Sequence, residues 1–306
     1  MEAEAQFIHY QLKEAMPSLM KEGQQNDGRA LYALGQIFLT QGIYTGDTRT
    51  LLRSMAAFSK GKEDSEEKVL CRSACCTMEV GGLSRTGKTE DDVAMADALS
   101  RMAEGGDVLA MTEWAACLLY GTGTEKDAEE SLSWLQRAAS QDYWLARLRL
   151  LQTERLKEDR ESRRDVFNQA NHLALMGVPD GEFYLGECYE AGWGTEPAWN
   201  KAVHHYERAY SLGNPAAAMR LANGYLRDTG NEESEAKAME WLRLADEKGN
   251  GEASYRLGKV YASRGEKEKT WAAVSRPQKL SGRSICSRIS ADGRMWYKTG
   301  RKTGDD

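Results

Sequence analysis

Apolar and small residues recur along this chain with a long period. Three segments expose it: GEFYLGECYEAGWG from Gly181, AAMRLANGYLRDTG from Ala217 and ASYRLGKVYASRGE from Ala253. Take the first residue of each as slot zero. Slots four and five then hold Leu185-Gly186, Leu221-Ala222 and Leu257-Gly258, and slot eight holds Tyr189, Tyr225 and Tyr261. These copies are 36 residues apart. AMTEWAACLLYGTG from Ala110 belongs to the same series, with Trp114-Ala115 in slots four and five. Fainter copies start at Ala30, Leu70 and Ala146, the early ones 40 residues apart and so carrying inserted residues. A period of this size marks an array of supersecondary units.

A second pattern precedes each slot zero. Trp134, His205 and Trp241 lie twelve residues upstream, Ala138, Ala209 and Ala245 eight upstream, and Gly106, Gly177, Gly213 and Gly249 four upstream. Apolar positions at intervals of three and four make one helix face. A glycine just beyond such a face ends the helix, because it accepts a left-handed backbone. Each unit is therefore predicted to be two antiparallel helices. Small residues at slots zero and five let the helices approach, and a G-x-G loop, as in GTGTEKD and GWGTEPA, joins them.

The pattern A-x-[YF]-x-L-G-x-x-Y-x-x-G-x-G, followed by K-A-x-x-[WH]-[YL]-x-x-A and G-[ND], resembles the Sel-1-like repeat, a relative of the tetratricopeptide repeat. Lys201-Ala202 and Lys237-Ala238 match its second helix. The resemblance spans about residues 26–264. It implies an all-α fold, a right-handed α-solenoid of about seven antiparallel helix pairs that serves as a protein-binding scaffold or adaptor. Such proteins are frequent in bacteria. Residues 1–25 are expected to form a capping helix, 26–264 the solenoid, and 265–306 an irregular basic tail. That tail holds ten Lys/Arg against five Asp/Glu, which leaves −11 on the rest of a chain whose net charge is −6. A flexible tail, a segment ordered by a partner and an altered reading frame all account for its loss of pattern.

Composition narrows the function classes. Few prolines and many Ala, Leu, Glu and Arg suit helices. No apolar run approaches the roughly 20 residues that cross a membrane, and the acidic start MEAEAQFIHYQLKEAM lacks the form of a secretory signal. A cytoplasmic protein is the expectation. Its six cysteines show no zinc spacing and are expected to be reduced. An acidic body with a basic tail does not suit nucleic-acid binding. One motif tempts. GLSRTGKT, from Gly82 to Thr89, fits the phosphate-loop pattern at every fixed position. A phosphate loop must follow a buried strand. Here VLCRSACCTMEVG precedes it, with small residues at helical spacing. Gly82 also falls at a loop slot of the repeat, and Thr89 or Asp91 is placed to cap the helix through Val93–Met102. No nucleotide, metal or other cofactor is expected.

Candidate sites follow from the array. His205 occupies the tryptophan slot of a second helix and reads as a packed residue. A hydrolase of the β-lactamase-like, cysteine-rich branch of the family is disfavoured, since cysteine does not recur with the period. First helices of such a solenoid line its concave face, and slots three, six and ten are expected to point away from the core. They hold Glu113, Tyr120, Arg149, Gln152, Tyr184, Glu187, Arg220, Asn223, Arg227 and Arg256, with Lys259 beside them. Arginine and tyrosine favour binding hot spots, and an acidic segment of a partner protein would be steered to so basic a strip. Trp193 and Trp199, in the loop GWGTEPAWN, read equally as binding anchors or as packing against a neighbouring loop. Tyr143 and Trp144 are ambiguous in the same way. The expected function is a non-catalytic interaction scaffold for one or more proteins. An immunity or regulatory protein that neutralises a cognate toxin or enzyme is the alternative.

Overall fold

A computed structural model describes residues 2–61, 68–80, 89–157, 159–228 and 230–263, all of them in helices and short connections. The helices are α1 (Glu2–Ile8), α2 (Leu12–Gln24), α3 (Gly28–Thr45), α4 (Thr48–Lys60), α5 (Lys68–Val80), α6 (Glu90–Glu104), α7 (Val108–Tyr120) and α8 (Ala128–Ala139). Then follow α9 (Trp144–Glu154), α10 (Arg160–Leu175), α11 (Pro179–Ala191), α12 (Trp199–Ser211), α13 (Ala216–Tyr225), α14 (Glu232–Glu247) and α15 (Gly251–Ser263). From α1 to α15, each helix in this order packs on the next. The result is the α-solenoid that the repeat predicts. Residues 2–24 hold two helices where one was expected.

The repeat boundary has a local cause. The residue four before slot zero takes a positive φ in every unit where that residue is described. It is Gly106, Gly177, Gly213 or Gly249 where the match is good, Asn26 in the first unit and Asp142 in the degenerate one. Asn and Asp are the side chains that best tolerate this conformation. The next residue is then free to cap the following helix: Asp27 accepts from the Ala30 N–H, Asp107 from Leu109 and Ala110, and Asn250 from Glu252 and Ala253. A reversal followed by a cap is the physical content of the G-[ND] pair.

Slot zero is fully buried at Ala110, Ala146, Ala217 and Ala253, where first and second helices cross. At slot five an added methyl would strike an aromatic ring: Phe58 Cε1 lies 2.3 Å from the Cβ position of Gly35, and Tyr206 Cδ1 2.5 Å from that of Gly186. Only glycine leaves room there for the ring of the second helix. Leu185, Leu221 and Leu257 at slot four are buried beside them.

The phosphate-loop match sits in this frame. The segment before it is α5, a helix and not a strand. Thr89 caps α6: its hydroxyl accepts from the Asp92 N–H at 3.1 Å, and the Asp92 carboxylate accepts from the Thr89 N–H at 3.4 Å. Gly82 to Lys88 lie outside the described residues, as does the basic tail.

Candidate protein interface

Helices α7, α9, α11, α13 and α15 are the first helices of successive units. Several of their slot-three, slot-six and slot-ten side chains meet across the joints between repeats. Arg149 on α9 donates from Nη2 to Glu113 Oε1 on α7 at 2.9 Å, and from Nη1 to the Thr112 carbonyl at 2.9 Å. Tyr32 Oη on α3 and Ser73 Oγ on α5 donate to the same carboxylate, each at 2.8 Å. Burial disfavours the Arg149 charge, but Glu113, Tyr32 and Tyr143 more than offset it and hold the group protonated above its ordinary value.

The same device recurs further along. Arg155, just past α9, donates from Nε and Nη2 to the Glu187 carboxylate on α11 at 3.0 and 3.1 Å, and Arg220 on α13 donates to that carboxylate too. Arg227 pairs with Glu190 at 2.6 Å. Arg256 on α15 donates to Asn223 on α13 and to Glu252 at 2.7 Å. Arg149, Arg220 and Arg256 thus reach back 36, 33 and 33 residues to an acceptor on the preceding first helix. Arg155 also lies over the Tyr184 ring, 5.6 Å from its centroid.

This geometry corrects part of the sequence reading. Glu113 is 0% exposed and Glu187 5%, so neither is presented at the surface. Slots three and six face the neighbouring first helix as much as the groove, and a carboxylate there is covered by guanidinium groups from the next repeat. The Arg149 side chain keeps 20% exposure. Tyr120, Gln152, Arg227 and Lys259 are exposed, and Tyr184, Arg220, Asn223 and Arg256 are half-buried. Arg220 pairs between repeats, not within its own helix.

The aromatic residues left open by the sequence divide similarly. Tyr143 and Trp144 are fully buried. Trp199 begins α12, packs edge-on against Tyr225 at 5.9 Å and lies across Gly224, whose Cβ position is 1.7 Å from Trp199 Cη2. Trp193 is half-buried against the main core. Both tryptophans have packing partners. His205 stacks on Tyr189, its ring centroid 5.3 Å away, with Nδ1 2.8 Å from Glu182 Oε2. It is packed, as its slot suggests.

Sequence reasoning missed a further layer. Phe7 of α1 is fully buried, with ring centroids 5.9 Å from Tyr143 and 6.1 Å from Trp144. Arg29 Nε donates to Glu4 at 2.8 Å, and Arg29 also donates to Asp107. Tyr44, near the end of α3, donates to Asp180 on α11, which also accepts from Asn214 Nδ2 at 3.0 Å. Burial raises the Asp180 carboxyl above its ordinary range. The first helices of the chain therefore lie against units more than 100 residues away. One signal for the inter-repeat pairs was present: Glu113 and Arg149 stand one repeat apart, and opposite charges at that spacing face each other.

Paired helices stacked in series, with polar bonds tying each first helix to the next, define an α-solenoid repeat protein. The Sel1 repeat model matches residues 108–143, 179–214 and 215–250, so the chain carries three Sel1 repeats. Two solved structures share the fold. One is c5321, a protective antigen present in uropathogenic Escherichia coli strains and displaying an SLR fold, with a TM-score of 0.53, 22% identity, and 85% of this chain but 55% of that one covered. The other is a Sel1 repeat protein from Oxalobacter formigenes, with a TM-score of 0.53, 20% identity, and 78% and 95% covered. No curated protein sequence matches the chain.

Proposed function

We propose that this protein is a non-catalytic, cytoplasmic scaffold that binds a partner protein along its first helices from α9 to α15. One observation carries the reading. The open side chains of this strip are held in place by the bonds that join the repeats: Arg155 over Tyr184, Arg220 against Glu187, Arg256 against Asn223. Arginine and tyrosine are favoured at binding hot spots, and side chains already fixed lose little entropy when a partner arrives. Arg155, Arg220, Arg227, Arg256 and Lys259 outnumber Glu187, Glu190 and Glu252, so the strip keeps a net charge of about +2 and favours an acidic segment. Repeat arrays characteristically use such extended surfaces for binding.

The test uses a partner captured from the native host and purified. Tyr184→Ala together with Arg227→Gln should weaken its binding by about tenfold or more, equivalent to about 1.4 kcal/mol, with helical content unchanged. Affinity should also fall as salt rises. Unaltered affinity in the double variant refutes the strip as the site.

A further inference from the structure

Helix α1 docks on residues far along the chain. Helix α1 has seven residues, too few to be stable alone, so docking holds it in shape. Its contacts are those of a bound amphipathic peptide. Ala3 and Phe7 are buried one turn apart. Phe7 sits against Tyr143 and Trp144 at the start of α9. Glu4 is held by Arg29, which Asp107 at the start of α7 orients.

Two features mark the seat as imperfect. The turn after α1 places Tyr10, which packs edge-on against Trp144 at 5.1 Å, at φ 61. A non-glycine residue holds that conformation only at a cost. Beneath the helix, Trp144 is fully buried while its Nε1 has no hydrogen-bond acceptor, and an unsatisfied buried donor is costly. A helix with an acceptor near Trp144 would fit better than α1 does.

We infer that α1 is a displaceable occupant, and that its seat takes in exchange a short amphipathic helix of a partner bearing an acidic residue three positions before a phenylalanine. The inference rests on the reading of the first helices as a binding surface and supplies the chemistry of one partner segment. Glu4 and Phe7 set that chemistry: a carboxylate for Arg29 and a ring for the Tyr143–Trp144 seat. The occupant is acidic, the same sign that the arginine strip favours.

The probe is a fluorescein-labelled peptide of residues 2–11, followed by anisotropy on the full chain. The tethered α1 competes at an effective concentration in the millimolar range. The peptide should therefore bind the Phe7→Ala protein at least tenfold more tightly than the unmodified protein. The same peptide carrying Phe7→Ala or Glu4→Lys should bind at least tenfold more weakly. Equal affinity for the two proteins, or no binding to a Phe7→Ala protein of unchanged circular dichroism, overturns the inference. Hydrogen exchange on the unmodified chain tests it without any variant. Amides of α1 should exchange at least tenfold faster than those of α9, and equal rates would show that α1 opens only with the array. A stable dimer formed by exchange of α1 between copies would make a second copy the occupant and also overturn it. Both measurements use this chain alone, so their failure leaves partner binding at the arginine strip to its own test.

Discussion

Substituting Glu113 by Gln removes one charge from the centre of a buried polar cluster that joins four helices. The carboxylate is 0% exposed and accepts from Tyr32, Ser73 and Arg149. Gln keeps the shape and one acceptor oxygen but turns the other into a donor, which opposes either Ser73 or the donors on Oε1. The larger loss is electrostatic. The Arg149 guanidinium loses its paired charge and keeps only neutral acceptors such as the Thr112 carbonyl. Breaking a buried pair by removing one partner costs about 3–5 kcal/mol. Because the Arg149 side chain is 20% exposed, water still reaches it, and the lower end, about 3 kcal/mol, applies. Urea unfolding followed by circular dichroism measures this directly. At a slope of about 2 kcal/mol per molar the midpoint should fall by about 1.5 M. Arg149→Met added to Glu113→Gln should recover part of the loss, since it removes the unpaired buried charge while the Gln oxygen still accepts from Tyr32 or Ser73. A midpoint within about 0.3 M of the unmodified protein would refute the cluster as an interlock and return Glu113 to the surface role that its slot first suggested.

Other outcomes are equally open to measurement. Gly224→Ala places a methyl 1.7 Å from Trp199 Cη2 and should cost about 1–3 kcal/mol, read as a lower melting temperature and largely restored by Trp199→Leu. Asp180 has its carboxyl raised above 3.8 chiefly by burial, against hydrogen bonds from Tyr44 and Asn214. Its contribution is therefore fully present below about pH 3.8 and lost as pH rises through the raised value. The melting temperature of the unmodified protein should fall relative to Asp180→Asn between about pH 4 and pH 7. Parallel curves would show that Asp180 does not titrate in this way. Lys88→Ala should change stability by no more than about 0.5 kcal/mol, and calorimetry with magnesium-ATP should give no saturable heat. Micromolar binding abolished by that substitution would restore the phosphate-loop reading.

Much of the fold could be read from the sequence because each repeat carries its own local rules. Leu221 and Ala217 are buried where the slots place them. The turn before a first helix keeps its shape even when glycine is replaced, as Asn26 and Asp142 show by their positive φ. The interface was less legible. Helical spacing tells which face a residue is on, but slots three and six lie between the groove and the next helix. The residue opposite decides which way they turn. Glu113 is buried because Arg149, Tyr32 and Ser73 surround it, and those four residues span four repeats and four helices. The docking of Phe7 on Trp144 had no local signal at all, since its partners are separated by well over 100 positions.

The arginine ladder also changes how binding on this surface has to be probed. Reversing Arg220 to Glu would set a second carboxylate against Glu187, which is 5% exposed. The penalty of two like charges at a buried joint falls on the array itself, and any loss of binding would then mix with a loosened repeat interface. Replacement by Gln leaves Glu187 with its two bonds from Arg155 while removing the guanidinium presented to a partner and its own bond to Glu187. Position along the ladder matters for the same reason. Glu113 has three donors, one of them a guanidinium that is largely covered, so change there is read mainly as stability. Arg227, whose side chain is 66% exposed against a single carboxylate, contributes little to the fold, because exposed pairs are worth about 0–1 kcal/mol. The ladder thus grades from interlock at α7–α9 to open contact at α13. A partner that binds the strip should be most sensitive to change at Arg227, just past α13, where the array itself is least affected.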